Sequence, residues 1–272
     1  MLYVQSLNIY PTKSCAGFNV ARSLLNTKGL KGDRLMMITT PDGSFLSQRT
    51  LPKMASIRLY ESGKYLVLEY PNYKEVFESK VSGKRTVTVW RDTISAADLG
   101  DPIATKISQY LGSPVRVVRV EKETERFVDP KYTDKKVLFN FADGFPFLIT
   151  NTQSLDALNE KLAEYRTTPI RMNRFRPNIV ISGLKPFQED SILRLKIGEA
   201  TFRLVKPCTR CRIIGIDPLT LEEDASVLKT LSAFSLNRAL GSGAYFGQNA
   251  ILESGNGTTI TNDDPVEIIE YS

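Results

Sequence analysis

The chain has 272 residues, 42% apolar and 24% charged, with a formal net charge of +6 and no histidine. Length and balance are those of a soluble globular protein with one large domain or two modest ones. The missing imidazole excludes Ser-His-Asp and Cys-His catalytic arrangements, and with only three cysteines it also excludes a closed Cys/His zinc site within one chain. The positive balance suits nucleic acid or an anionic small ligand, and no Lys/Arg run of nucleic-acid type occurs. An odd, small cysteine number points to a reducing compartment. With neither a signal-peptide pattern nor an apolar run of about 18 residues, a cytoplasmic location without a membrane span is expected.

Residues 2–9 read as a strand closed by Tyr10-Pro11-Thr12-Lys13-Ser14-Cys15, where the proline stops pairing and leaves Lys13 and Ser14 on a loop. Alternation resumes over 19–25. Gly29-Leu30-Lys31-Gly32-Asp33-Arg34 is a second loop, which feeds the apolar run 35–39 and puts Arg34 at a strand's edge. Pro41-Asp42-Gly43-Ser44 is a hairpin turn, after which 45–48 leads to Arg49. Short alternating runs at 57–60, 65–70, 76–81 and 86–89 predict a small barrel or sandwich. A helix is expected through 103–111 with Asp101-Pro102 as cap and first position, then a strand at 115–120. The charged stretch 121–136 reads as a linker or exposed loop, which sets a boundary near residue 121.

A buried strand at 147–150 ends in Asn151-Thr152-Gln153-Ser154, where Thr152 or Ser154 caps a helix over 155–165. The free N–H groups at such a helix start can hold a phosphate or carboxylate. Arg171, Arg174 and Arg176 then lead into Pro177-Asn178 and the strand 179–181, a plausible anion-binding loop whose alternative is a solvated basic face. A strand at 200–205 runs to Lys206-Pro207-Cys208-Thr209-Arg210-Cys211. Because Pro207 cannot donate to a central ladder, the cysteines are expected on a loop leaving the strand. The apolar run 213–216 follows, closed by Asp217-Pro218. Residues 227–231 and 236–238 read as helical, 249–252 and 266–270 as strands.

The cysteine segment is where chemistry is expected. Lys206, Arg210 and Arg212 surround two of the three cysteines, and nearby cations favour the thiolate, which is both nucleophile and metal ligand. Structural cysteines are the bland alternative. A thioredoxin-type pair belongs at a strand-to-helix junction, and an apolar β-like run follows here instead. Several loops at strand ends share a theme: Lys13 and Ser14, Arg34, Arg49, the 151–154 turn, the arginine loop with Asn178, and the cysteines. If they converge they form a basic pocket containing a thiolate, suited to a phosphorylated cofactor whose metal accepts soft sulfur.

Tyr10-Pro11-Thr12-Lys13-Ser14-Cys15, Gly32-Asp33-Arg34, Phe175-Arg176-Pro177-Asn178-Ile179-Val180-Ile181-Ser182-Gly183, Lys206-Pro207-Cys208-Thr209-Arg210-Cys211 with Asp217-Pro218, and Phe246-Gly247-Gln248-Asn249 occur in this order. Together they resemble the MOSC family, in particular its amidoxime-reducing branch. The resemblance implies a β-rich α/β fold, with an N-terminal β-barrel-like region over 1–121 and a MOSC β-barrel with flanking helices over 122–272. It implies a molybdenum cofactor, Mo-molybdopterin, with Cys211 as the catalytic metal ligand. Lys13, Ser14, Arg34 and Arg176 would hold its phosphate or pterin, and Thr152, Ser154, Asn178, Thr209 and Arg210 would line the same pocket. For Cys208, Arg49 and Gln248, packing or loop support is the equal alternative.

The implied activity is a two-electron reduction of N-hydroxylated compounds such as amidoximes, hydroxylamines and N-hydroxylated nucleobases, with loss of water. Three cysteines cannot supply both the site and a plant-type iron–sulfur cluster, so a separate flavin or iron–sulfur donor protein is expected. The rival reading is a molybdenum-cofactor carrier or sulfur-transfer protein without turnover. Nucleic acid is expected only as a source of modified nucleobase substrates. Where the family commonly has a glycine soon after Asp-Pro, this chain reads Asp217-Pro218-Leu219-Thr220-Leu221-Glu222, a change in a loop expected near the site.

Overall fold

The structure, a computed structural model, describes residues 1–165, 168–238 and 240–272. The chain opens with strands β1 (Tyr3–Ile9), β2 (Phe18–Val20), β3 (Arg22–Asn26), β4 (Gly29–Leu30) and β5 (Met36–Thr39). A meander follows: β6 (Arg58–Ser62), β7 (Tyr65–Tyr70), β8 (Tyr73–Glu78), β9 (Gly83–Val89) and β10 (Asp92–Asp98). Helix α1 (Asp101–Leu111) and β11 (Arg116–Arg119) precede β12 (Phe147–Asn151), α2 (Thr152–Glu164) and β13 (Ile179–Ser182). The last elements are β14 (Ile192–Ile197), β15 (Ala200–Thr209), α3 (Ala225–Asn237), β16 (Tyr245–Ser254), β17 (Thr259–Thr261) and β18 (Val266–Tyr271). The class is α/β and β-rich, as expected.

Contacts divide the chain into two compact units. Unit one comprises Met1–Asn8, Asn19–Lys31 and Phe145–Ser272, and unit two comprises Ile9–Phe18 and Gly32–Gly144. Unit one is built on an eight-stranded sheet in the order β18-β14-β15-β16-β12-β13-β1-β2, beside a small β17-β3-β4 sheet. Phe175 and Phe246 stack at 3.8 Å between ring centroids, in a core that also takes Leu158 and Leu162 from α2 and Val227 and Leu231 from α3. Helical spacing of those leucines is what turns them to one face.

Unit two holds the sheets β5-β11-β10-β9 and β6-β7-β8. Strand alternation gives it two apolar clusters. Met36, Ile38 and Val117 enter one with Cys15 and the buried face of α1, while Met37 and Val118 enter another with Val87 and Phe141. Among the described residues no helix is long and apolar enough to cross a membrane.

Several local expectations are corrected. The sheets of the described residues are open rather than closed into barrels: closure needs the first and last strands to pair, and the eight-stranded sheet ends instead on β2 and β18. The short β2 and the glutamates of β18 are features that keep an edge from pairing further. Residues 92–98 form β10, and α1 starts at Asp101 with Gly100 as its cap, at φ 88. Asn151, not Thr152 or Ser154, caps α2 by accepting the Gln153 amide. The run 213–216 is a 3-10 turn over Arg212–Gly215, not a strand.

Candidate functional site

The thiol segment lies in unit one. Strand β15 continues to Thr209, so Cys208 sits in the strand and not on a loop. Its ladder shifts register between Leu204 and Lys206 and again between Pro207 and Thr209, which lets Pro207 face Gln248 of β16 without supplying a regular N–H. Thr209 pairs with Tyr245, and the Arg210 amide donates to the Ala244 carbonyl at 2.7 Å. Cys211 then caps the 3-10 turn, its carbonyl accepting the Ile214 amide at 3.2 Å. Cys208 and Cys211 are both partly exposed and outside any disulfide, whereas Cys15 is buried in the unit-two core.

Of the three expected cations, Arg210 reaches a thiol sulfur. Its Nη1 donates to Cys208 Sγ at 2.9 Å, its Nη2 donates to the Phe175 carbonyl at 2.6 Å, and its Nε is buried without a hydrogen-bond partner. The guanidinium is thereby fixed between the sulfur and the Phe175 carbonyl. Arg212 forms a fork with Glu223 instead, at 2.9 and 2.6 Å.

The arginine loop splits by role. Arg174 Nη2 donates to Asp217 at 2.7 Å and Nη1 to the Gly215 carbonyl at 3.2 Å, so Arg174 ties down the far end of the cysteine segment. The Leu219 amide, with Arg174 behind it, holds the Asp217 carboxyl below its usual range. Arg171 is exposed, and Arg176 sits partly exposed in left-handed backbone at φ 57. Leu221, in the stretch where the family resemblance leads one to expect a glycine, is also left-handed at φ 64.

The remaining unit-one candidates face inward. Ser154 is fully buried; its hydroxyl donates to the Glu189 carboxylate at 2.7 Å and accepts the Phe187 amide at 2.8 Å. Asn178 is likewise buried, its Oδ1 accepting the Leu148 amide at 3.2 Å and its Nδ2 donating to the Asn8 carbonyl at 3.4 Å. Thr152 shares its hydroxyl with Ser182 at 3.0 Å. The first two are therefore engaged as scaffold.

Sequence reasoning missed Glu189 and Asp190, neighbours on the 3-10 turn Gln188–Ser191. Burial pushes the Glu189 acid up to about 7 against the hydrogen bonds from Ser154 and Asn151, with Asp190 reinforcing the rise. Asp190 pairs with Arg238 at 2.6 Å and accepts Gln248 Nε2 at 2.7 Å. Arg238 Nη2 in turn donates to the Tyr245 carbonyl at 2.7 Å, on the strand that carries the cysteine segment's partners. Gln248 thus serves this network. The only sequence signal was an acidic pair followed by a strand.

Lys13, Ser14 and Arg34 lie in unit two. The Lys13 ammonium donates to the Phe141 carbonyl at 3.0 Å and to Asp143, and burial lowers its pKa while Asp143 opposes the shift. Arg34 donates to both oxygens of Asp33 at 2.8 and 2.6 Å and stacks 4.5 Å from the Tyr10 ring. Ser14 is left-handed at φ 62, its carbonyl accepting Gln48 Nε2 at 2.8 Å, and Arg34 is left-handed at φ 48. With Arg176, three expected ligand-binding residues occupy a backbone region that non-glycine residues avoid, which marks functional positions more often than packing ones.

The donor set fits a phosphate-bearing group with a sulfur-seeking metal. Unit one offers thiols, a guanidinium on sulfur and a buried Arg210 Nε with an unmet hydrogen bond, and the Thr150 hydroxyl is also buried and unpartnered. Among the described residues no cluster of three or more Cys, Asp or Glu could hold a metal ion.

A model of the MOSC N-terminal beta barrel domain matches residues 1–114, and one of the MOSC domain matches residues 136–267. The chain is 31% identical over 248 residues to a molybdenum cofactor sulfurase of Oryza sativa subsp. japonica, covering 84% of this chain but 30% of that protein. It is 30% identical over 292 residues to mitochondrial amidoxime-reducing component 1 of Homo sapiens, covering 98% of this chain and 82% of the relative. Mitochondrial amidoxime reducing component 2 of Rattus norvegicus is 29% identical over 248 residues, with 86% and 72% covered. On both domain matches and on an alignment running nearly end to end, the chain belongs to the MOSC-domain family.

Proposed function

We propose that the chain binds a molybdenum cofactor and reduces N-hydroxylated compounds to the corresponding amines or amidines, with loss of water. The observation that supports this is the partly exposed Cys211 at the turn just past a bulged strand end, next to an Arg210 whose buried Nε has an unmet hydrogen bond, in a chain alignable over 98% of its length with an amidoxime-reducing component. Cys211 is assigned as the metal's thiolate ligand. Arg210 and Thr209, with Arg176, would orient the cofactor, and Lys13, Ser14 and Arg34 would take its phosphate or pterin. When bound, the cofactor supplies the two-electron chemistry, and the substrate takes up two protons as its N–O bond breaks. The chain contributes position and charge: a fixed sulfur, guanidinium donors and a backbone held by Arg174 and Asp217.

The catalytic proposal includes a separate flavin or iron–sulfur donor protein, since Cys15 is buried and the other two cysteines belong to the site. A cytoplasmic site of action is supported by cysteine usage alone. The division into modules 1–121 and 122–272 is likewise a proposal. One observation favours a second reading: the sulfurases align at similar identity, although the chain spans only about 30% of the length of the rice protein. The two readings part in one assay. Purified protein is reduced with a chemical donor, and reoxidation is followed on adding an amidoxime. Reoxidation with amidine release supports the reductase, whereas bound molybdenum without substrate-dependent reoxidation supports the carrier.

A further inference from the structure

The β9–β10 hairpin of unit two turns on Trp90 and Arg91, with Val89 paired to Asp92. Such two-residue turns need positive φ and favour Asn-Gly, yet this one places the chain's single tryptophan there, at φ 57 and 44% exposed. A bulky residue in left-handed backbone is strained, and the strain buys placement of the indole. Its Nε1 donates to Asp143 Oδ1 at 3.0 Å, and its ring lies 4.8 Å from Phe45 and 4.6 Å from the Arg49 guanidinium.

Asp143 also receives the Lys13 ammonium, whose side chain is 6% exposed while that of Asp143 is 76% exposed. The loop backbone is clamped by other groups. Arg126 Nη1 donates to the carbonyls of Asn140 at 2.6 Å and Ala142 at 2.9 Å, and the Phe141 amide donates to the Arg34 carbonyl at 2.9 Å. The Asp143 side chain can therefore swing into water without moving its backbone, while Phe141 keeps the ammonium in place. Asp143 faces the Lys13 ammonium as Asp33 faces Arg34 and Asp92 faces Arg126, so withdrawal of Asp143 opens that ammonium to another anion.

We propose that Asp143 is a displaceable counter-ion: a phosphate-class dianion takes over the Lys13 ammonium, Asp143 withdraws, and Trp90 holds the carboxylate over Lys13 when no anion is bound. This rests on the reading of Lys13 as an anion-binding residue and adds Asp143 and Trp90 to it.

The test uses the full chain produced without molybdenum cofactor and titrated with inorganic phosphate, binding being read by calorimetry and by tryptophan emission. Wild type binds, and its emission shifts as the indole N–H loses its acceptor. Asp143→Asn binds roughly tenfold tighter, as expected when a competing charge-assisted bond is removed. Trp90→Phe binds tighter by a smaller factor, and Lys13→Met loses binding. Asp143→Asn binding no tighter than wild type, wild type binding without an emission change, or no binding at all would overturn the proposal. Tighter binding in Asp143→Asn by a protein that never acquires molybdenum would sink the cofactor reading and leave the exchange standing; the converse pair of results would do the opposite.

Discussion

Replacing Glu189 by glutamine removes a titration from the interior of unit one. The carboxyl is fully buried against Ser154 and Asn151, and its pKa rises from 4.5 to about 7, chiefly through burial. Between those values the folded chain keeps a proton that the unfolded chain has lost, so this group's stabilising contribution is present at low pH and disappears as pH rises through the window. At about 1.4 kcal/mol per pKa unit the swing is about 3 kcal/mol, undiminished by solvent screening because the group is buried. The substituted amide keeps an acceptor for Ser154 and carries no charge at any pH. Urea unfolding followed by circular dichroism at pH 5 and pH 8 on both proteins isolates the effect. The stability of wild type relative to Glu189→Gln should fall by about 2–3 kcal/mol on going to the higher pH, since a part of the swing is already spent by pH 5. An unchanged difference would show that Glu189 is ionised and solvated, refuting the buried network.

Three further substitutions test the framework around the thiols. Gly247→Ala puts a Cβ 2.6 Å from Thr150 Cγ2 and 2.8 Å from the Ile149 carbonyl at φ 72. It should cost at least about 2 kcal/mol in denaturant unfolding, and a neutral result would deny the close approach of β16 to β12. Leu221→Gly relieves a left-handed leucine and should be neutral or gain up to about 1 kcal/mol; a clear loss would mean that the side chain's packing outweighs its backbone strain. Arg210→Lys cannot bridge the Phe175 carbonyl and Cys208 sulfur together, and about 1–2 kcal/mol should be lost. An unchanged denaturation midpoint would show the bridge idle.

The sequence carried the long alternating and helical patterns well: β1, β7, β12, β13, α1 and α2 follow directly from spacing that also fixes their buried faces. It missed β10 because Asp92–Asp98 reads as polar, and burial there comes from pairing with β9 and β11. It ended β15 too early because a proline in a central ladder is tolerated only when a bulge absorbs it, and bulges leave no mark in composition. Ligand-type side chains near the thiols were legible, since Thr209, Arg210 and Cys211 are contiguous with Cys208. Ser154 reads as a helix cap and Asn178 as the end of an arginine loop, with the family resemblance placing both in the pocket, whereas their burial depends on Glu189 and Leu148, partners far off in sequence. Asp143 and Trp90 were overlooked for the same reason, because only the fold brings them to Lys13.

On the proposed function, the Cys211 sulfur holds molybdenum. Elemental analysis of freshly purified wild type, Cys211→Ala and Cys208→Ala tests it directly. Molybdenum is expected in wild type and in Cys208→Ala, and its loss together with N-hydroxy reductase activity in Cys211→Ala. Full metal retention and activity in Cys211→Ala, with loss in Cys208→Ala, would contradict it.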